Sequence, residues 1–372
     1  MKHLVELTKI IEGGLKADRA KVINYTELLA DKLEKEGDTK AAKRFRQTIS
    51  PAKESQLEPS NVGFNGRLPF DQESHMSLVN FESVTEEESV VFINEEAQRT
   101  VDELIRNIKY ADKLISAGLT LSPSLLVYGP PGCGKTELAR NISAKLGLPL
   151  LTARTDGIVS SYLGSTAKNL RALFEHAMGR PCVLFLDEFD AVAKLRDDRH
   201  ELGELKRVVV SLLQNIDNLD GRTILIAATN HHHLLDSAVW RRFGYKIYLG
   251  LPDAQVRRKL FERFLGSFDL ENKCLSRAVS ISEELSGSDI RQAAEDALRA
   301  AVMADKNMVD QWDLLRRLTW LNLSAKGLTE RSLGQAIRAA REINPTIYSH
   351  RVLGEIFNIS KSSVGNYIKS EE

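Results

Sequence analysis

The sequence predicts an α/β protein, a parallel sheet covered by helices on both faces, with helical modules at either end. Three observations carry that reading. Short apolar strands alternate with helical segments between residues 86 and 250, the pattern of a sheet buried on both sides. A glycine-rich run, "GPPGCGKT", stands directly between one strand and one helix. Beyond "GLPDAQ" the chain reads as helical to its end.

Composition sets the outer bounds. A length of 372 residues, 42% hydrophobic and 27% charged, suits a globular chain of more than one domain. Lysines and arginines number 51, as do the acids. No overall field therefore draws the chain to nucleic acid or anionic lipid, and such binding would need a local patch. Cys133, Cys182 and Cys274 have neither disulfide nor metal-ligand spacing, which suits a reducing compartment. The opening "MKHLVELTKIIEGG" is too short and polar in its apolar part for a signal peptide. No run approaches the ~18 apolar residues of a membrane span. The expected location is the cytoplasm.

In chain order, residues 1–49 carry helical periodicity: Leu4, Leu7 and Ile11 on one face, then Val22, Tyr25, Leu29 and Leu33, then Ala41, Phe45 and Ile49. Residues 50–85 read as a linker, because "SPAKESQLEPSNVGFNGRLPFDQES" is rich in proline, glycine and polar residues without period. The α/β domain over 86–250 opens with the helix "EEAQRTVDELIRNIKYADKLI". Its strands are "SLLVYG", "PLLTA", "CVLFLD", "TILIAATN" and "YKIYL". Two helical segments follow, 251–325 and 326–372.

"LLVYGPPGCGKTELAR" holds G-x-x-x-x-G-K-T from Gly129 to Thr136. In this strand–loop–helix context the motif predicts a site for ATP or GTP. The loop Gly129, Pro130, Pro131, Gly132, Cys133 and Gly134 closes around phosphates, helped by the helix N-terminus. Lys135 would neutralise phosphate charge, the Thr136 hydroxyl would bind Mg²⁺, and Glu137 ends the nucleotide-binding run. Cys133 fills a variable position and is assigned no chemistry. "CVLFLDEFD" ends a buried strand in two carboxylates. Asp187 would hold the Mg²⁺ shell and Glu188 would polarise the attacking water as general base. Asn230, at the end of "TILIAATN", would orient that water if its strand lies between the other two. The adjacent His231, His232 and His233 cannot easily converge on one ion, so no metal is expected there.

With these motifs the sequence resembles the AAA+ ATPases, and within them the AAA subgroup of katanin, spastin and the ESCRT-disassembling ATPases. The resemblance spans about residues 85 to 305 and rests on "GPPGCGKT", "LFLDEFDAVAKLRDD", "ILIAATNHHHLLDSAVWRRFGYKIYLGLPD" and "SGSDIRQAAEDAL". It implies a P-loop AAA+ domain with a small helical lid, here 251–325. It also implies a homo-oligomeric ring, usually a hexamer, with ATP between neighbours. Arg241 and Arg242 correspond to the trans-acting arginine fingers. Tyr162, Leu163 and Gly164 in "SSYLGSTAKNL" correspond to the first pore loop, which grips protein substrate. Gly287 and Ser288 in "SGSDI" correspond to the lid's nucleotide-sensing turn, whereas Arg291 reads as a surface residue. Two departures stand out. Trp240 replaces a frequent arginine, and "SVTEEESVVFINEEAQ" lacks the acidic-glycine motif that opens the domain in relatives.

The N-terminal helices resemble the layout of relatives with a helical recruitment domain and imply an adaptor or substrate role. At the other end, "RVLGEIFNISKSSVGNYIK" resembles a helix-turn-helix. Around it six basic residues (Arg331, Arg338, Arg341, Arg351, Lys361 and Lys369) face two acids, Glu342 and Glu355. DNA contact and plain trihelical packing both remain open there. The leading functional expectation is an ATP-driven ring that unfolds or disassembles proteins. The alternatives are a DNA-associated ATP switch and an unfoldase serving a separate protease.

Overall fold

The sheet has six strands: β1 (Val79–Glu82), β2 (Ser124–Tyr128), β3 (Leu150–Ala153), β4 (Cys182–Leu186), β5 (Thr223–Thr229) and β6 (Tyr245–Tyr248). Their order is β1-β3-β4-β5-β2-β6, parallel throughout except for β1. This arrangement is seen in a computed structural model. It describes residues 7–9, 19–35, 38–54, 69–70, 77–158, 163–193, 202–219, 221–268, 270, 272–327 and 332–369. Every residue of β4 and β5 is buried. Burial on both faces explains why these strands read as continuous apolar runs instead of alternating ones.

The chain divides into two units, residues 1–65 with 111–119, and residues 66–110 with 120–372. Helices α1 (Arg19–Lys35) and α2 (Thr39–Glu54) precede β1, and α3 (Glu95–Lys109) and the short α4 (Ala111–Ser116) follow it. In the first unit Leu29, Ala30 and Ala42 are buried, and Arg46 joins Asp31 (2.6 Å) and Glu34 (2.7 Å) across α1 and α2. Residues 19–35 and 39–49 are helical as expected, whereas Leu4 and Ile11 of the first face lie outside the described residues, and α2 continues to Glu54, past residue 49.

Two expectations about the chain need correction. Strand β1 lies inside the stretch expected to be linker. It pairs antiparallel with β3 at the sheet edge, and Leu78 and Val79 are buried. Four residues with only the first buried leave no alternation to detect. The long helix expected over 95–115 is interrupted at Tyr110, whose φ/ψ of −106°/22° closes α3 before α4 begins.

Between the strands run α5 (Lys135–Leu146), α6 (Thr155–Ile158), α7 (Leu163–Met178), α8 (Asp190–Ala193), α9 (Leu202–Asp217) and α10 (Ser237–Arg242). The helical remainder comprises α11 (Ala254–Leu265), α12 (Asn272–Ile281), α13 (Gly287–Met303), α14 (Gln311–Ala325), α15 (Leu333–Ile343), α16 (His350–Phe357) and α17 (Lys361–Lys369). One core joins residues across it, from Phe261, Ala294 and Leu318 to Ile337, Leu353 and Val364. Tyr348 sits in that core, 1% exposed, and its hydroxyl donates to Thr319 Oγ1 (3.2 Å). Thr319 in turn donates to the Leu315 carbonyl (2.7 Å).

Burial pushes the Tyr348 phenol up to about 12 from an ordinary value near 10. The folded state then holds a proton that the unfolded chain releases first. The stability contributed by Tyr348 is complete below about pH 10 and is lost as pH rises toward 12, by on the order of 2–3 kcal/mol. Denaturant titrations of wild type and Tyr348→Phe between pH 8 and pH 12 should show the variant losing less stability over that alkaline window. Parallel curves would refute it.

Candidate active site

The phosphate-loop motif lies where the sheet order changes direction, at the C-terminal end of β2, the usual place for a ligand in an open α/β sheet. Gly129 has φ 146°, and a Cβ there would stand 2.0 Å from the Leu249 carbonyl oxygen. Only glycine allows that approach. Gly132 has φ 75°, and its Cβ would meet the Ser288 hydroxyl oxygen at 2.2 Å. After Gly134, helix α5 begins without a side-chain cap. Its first N–H groups stay available to an anion.

Lys135 is buried, and its Nζ donates to the carbonyls of Gly129 (2.9 Å) and Pro130 (2.7 Å). Desolvation holds its ammonium below the usual lysine range, partly offset by Asp187 nearby. Thr136 Oγ1 donates to Asp187 Oδ2 (3.0 Å), and the Glu188 amide donates to Asp187 Oδ1 (2.9 Å). Glu188 holds φ 48°, the left-handed region that a non-glycine residue rarely adopts. That backbone lies on a cleft wall, where strain is commonly kept for function.

Strand β5 pairs with β2 on one side and β4 on the other. Asn230, at its tip, therefore lies between the phosphate loop and Asp187, meeting the condition that its expected role required. Its Oδ1 is buried without a hydrogen-bond partner. A buried acceptor left unsatisfied is costly unless a ligand or water completes it.

These residues line a cleft of about 750 Å³. Its second wall went unrecognised in the sequence. Val90, Val91, Phe92 and Ile93 come from the segment that lacks the acidic-glycine motif, and Leu260 and Phe264 come from α11. Asn141 anchors the first group by donating to the Ser89 carbonyl. These apolar side chains suit a planar heterocycle, and the polar loop opposite suits its phosphates. A nucleotide triphosphate and a divalent ion fit the donors present: uncapped amides, an ammonium, a hydroxyl and a carboxylate.

The lid turn closes onto the loop. Ser288 donates its amide to the Gly132 carbonyl (3.0 Å), and Ser286 with Asp289 forms a capping box that starts α13. Arg291, expected on the surface, is 59% exposed and ion-paired to Glu295, yet it also lines the cleft, above the Phe264 ring. Burial pushes the pKa of the Cys133 thiol up.

Arg241 and Arg242 end α10, are exposed, and are not among the residues lining the cleft. The Arg242 guanidinium forks onto Asp217 (2.8 and 3.2 Å). Trp240 meets Tyr128 edge-on (5.1 Å between ring centroids), with Lys246 Nζ 6.0 Å from its ring, so the tryptophan that departs from the subgroup packs locally. His231 and His233 lie edge-on at 5.9 Å. Among the described residues no group of three or more His, Cys, Asp or Glu side chains is gathered as a metal-ligand set. Tyr162 lies outside the described residues, and Leu163 and Gly164 begin α7. No helix among the described residues is long and apolar enough to cross a membrane.

Comparison with known proteins places this geometry. The model of the "ATPase family associated with various cellular activities (AAA)" matches residues 125–251. An uncharacterized AAA family ATPase, y4kL of Sinorhizobium fredii, is 34% identical over 296 residues, 78% of this chain and 88% of that protein. The chain belongs to the AAA family of ATPases. As an AAA ATPase it is an ATP-hydrolysing enzyme. It is also 33% identical to the 26S proteasome subunit RPT4 of Saccharomyces cerevisiae over 54% of this chain and 47% of that one. With spastin of Drosophila grimshawi the identity is 34%, over 54% of this chain and 27% of that protein. The chain thus spans under half the length of these two relatives.

The lid–loop contact yields a test. Gly132→Ala forces the new methyl group against Ser288 and strains φ, so the loop or the lid turn must shift. Affinity for a fluorescent ATP analogue should fall about ten-fold or more, roughly the 1.4 kcal/mol of one lost polar contact. Unchanged affinity would mean that the contact is not part of the binding geometry.

Proposed function

We propose that this chain is a ring-forming motor that spends ATP to remodel, unfold or disassemble protein substrates drawn through a central pore. The observation that carries the chemistry is the convergence of Asp187, Glu188 and Asn230 on the phosphate loop from neighbouring strand tips. Lys135 turns from its loop carbonyls to the β- and γ-phosphates, and its ammonium offsets their charge. Thr136 and Asp187 would hold Mg²⁺, which would supply charge neutralisation at the phosphates. Glu188 accepts the proton of the attacking water, while Asn230 orients that water through its unpartnered oxygen. Gly287 and Ser288 report the nucleotide to the lid.

Arg241 and Arg242 reach the site of the neighbouring subunit in a homo-oligomeric ring, the hexamer usual for this family. A guanidinium there stabilises charge spread over the transferring phosphoryl group, an effect of ~10³–10⁵ in rate in P-loop enzymes. Their position outside the cleft of their own chain supports a role in trans. Arg242 must first leave Asp217, whereas Arg241 makes no such ion pair among the described residues. Tyr162, Leu163 and Gly164 form the pore loop, an aromatic grip tolerant of substrate sequence. Relatives named as a proteasome subunit and as the ATP-dependent zinc metalloprotease FtsH of Thermobaculum terrenum (32% identical over 62% of this chain) support protein as the substrate class. An adaptor or a separate protease is the matching partner, and the cytoplasm the matching location.

Glu188→Gln separates binding from chemistry. It should bind ATP with wild-type affinity, lose at least ~100-fold in turnover and accumulate as an ATP-loaded oligomer. Separate binding and single-turnover measurements decide it: near-normal hydrolysis would remove Glu188 from the role of base.

A further inference from the structure

The C-terminal three helices do more than pack. Helix α16 starts at the Ser349 cap and ends on Asn358, a non-glycine residue in the left-handed region (φ 54°, ψ 48°). The Ile359 amide donates back to the Gly354 carbonyl (2.9 Å), closing the helix end. A Cβ on Gly354 would stand 2.9 Å from the Ile359 carbonyl oxygen, so the tight turn requires a small residue there. Ser360 then caps α17 by accepting from the Ser363 amide (3.1 Å). Two helices joined by a three-residue turn, with α15 packed behind them, have the build of a helix-turn-helix.

The decisive feature is which face of α17 the core consumes. Val364 is fully buried, and Ile368 packs partly against the same core. Tyr367 leans on Gly334, where a Cβ would meet its ring at 2.8 Å. At 100° per residue the opposite face presents Ser362, Gly365, Asn366 and Lys369, flanked by Lys361. Ser362, Asn366, Lys361 and Lys369 are exposed. Gly365 lies mid-helix, costs about 1 kcal/mol against alanine there, and would have nothing within 4 Å of an added Cβ. The fold therefore does not demand this glycine. It thins the exposed face and lets the helix backbone approach a partner surface.

We propose that α17 is a recognition helix for the major groove of duplex DNA. The residue types match the groove: asparagine pairs with adenine N6 and N7, serine hydrogen-bonds to either purine or pyrimidine edges, and lysine meets guanine or phosphate. Arg351, exposed on α16, is placed to meet the DNA backbone that the first helix crosses. Glu355 is the acid exposed on α16 and sets a limit on affinity. A protein partner fits less well, because Tyr367, at 37% exposure, is the large apolar side chain α17 leaves exposed. Duplex RNA fits less well too, since its major groove is too narrow for side chains to read. This inference stands apart from the motor reading: it concerns exposed residues remote in sequence from the ATPase site.

The experiment is anisotropy with the full-length protein and a random-sequence DNA duplex of about 20 base pairs at low salt, followed by selection of the tightest sequences. Wild type should bind in the ~micromolar range and weaken steeply with salt. The Ser362→Ala/Asn366→Ala/Lys369→Ala variant should bind at least about ten-fold more weakly, with melting temperature and ATPase rate unchanged. Asn366→Ala alone should lose the preference for the selected sequence. Failure to bind any DNA duplex, equal binding of an RNA duplex, or DNA binding unchanged in the triple variant would overturn the proposal. In each case the ATPase and unfolding assays still report separately on the motor.

Discussion

The close passage of Gly129 against Leu249 is the constraint on which the site rests. A side chain at Gly129 would meet the Leu249 carbonyl at 2.0 Å, and the Leu249 amide donates to Tyr128 (2.8 Å) just before the loop. The Gly129 amide donates to Thr229 (3.3 Å), next to Asn230, and its carbonyl accepts from Lys135. One residue without a Cβ thus joins the ends of β2, β5 and β6 to the Lys135 ammonium. Moving that backbone by the width of a methyl group would disturb all four at once.

Around that point charges and donors are arranged for a visitor. Lys135 is kept dry enough to depress its pKa, and its contacts are loop carbonyls that a phosphate oxygen outcompetes. Asp187 is bridged by the Thr136 hydroxyl and the Glu188 amide, an orientation that leaves the carboxylate set toward the cleft. The strained backbone at Glu188 and the unsatisfied oxygen of Asn230 stand beside it. Both cost stability, as features of preorganised sites commonly do. The lid reaches the same loop through Ser288 and Gly132, and its core continues into the C-terminal helices through Tyr348 and Thr319.

The phosphate loop, the acidic strand end and Asn230 were legible in the sequence because each is a contiguous run in which residue type and strand context coincide. The sheet order was needed to bring Asn230 between the other two. The apolar wall was not legible: Val90 to Ile93 and Leu260 with Phe264 are ordinary hydrophobics whose meeting depends on a helix packing back from some 170 positions later. Strand β1 was hidden because an edge strand with one buried residue carries no period. The tie between Arg242 and Asp217 joins positions on α10 and α9 that nothing local relates. Trp240, which departs from the subgroup's pattern, was explained only by the Tyr128 ring beside it.

The central claim is that a phosphate site assembled within one chain is completed by an arginine from the next. Mixing two inactive chains tests it most directly. A Lys135→Ala chain lacks the ammonium of its own site but keeps its arginines, and an Arg241→Ala chain keeps its phosphate site. ATP turnover across mixing ratios should exceed that of either variant alone, since some interfaces then pair an intact phosphate site with an intact Arg241. Turnover that never rises above the separate variants at any ratio would contradict the account.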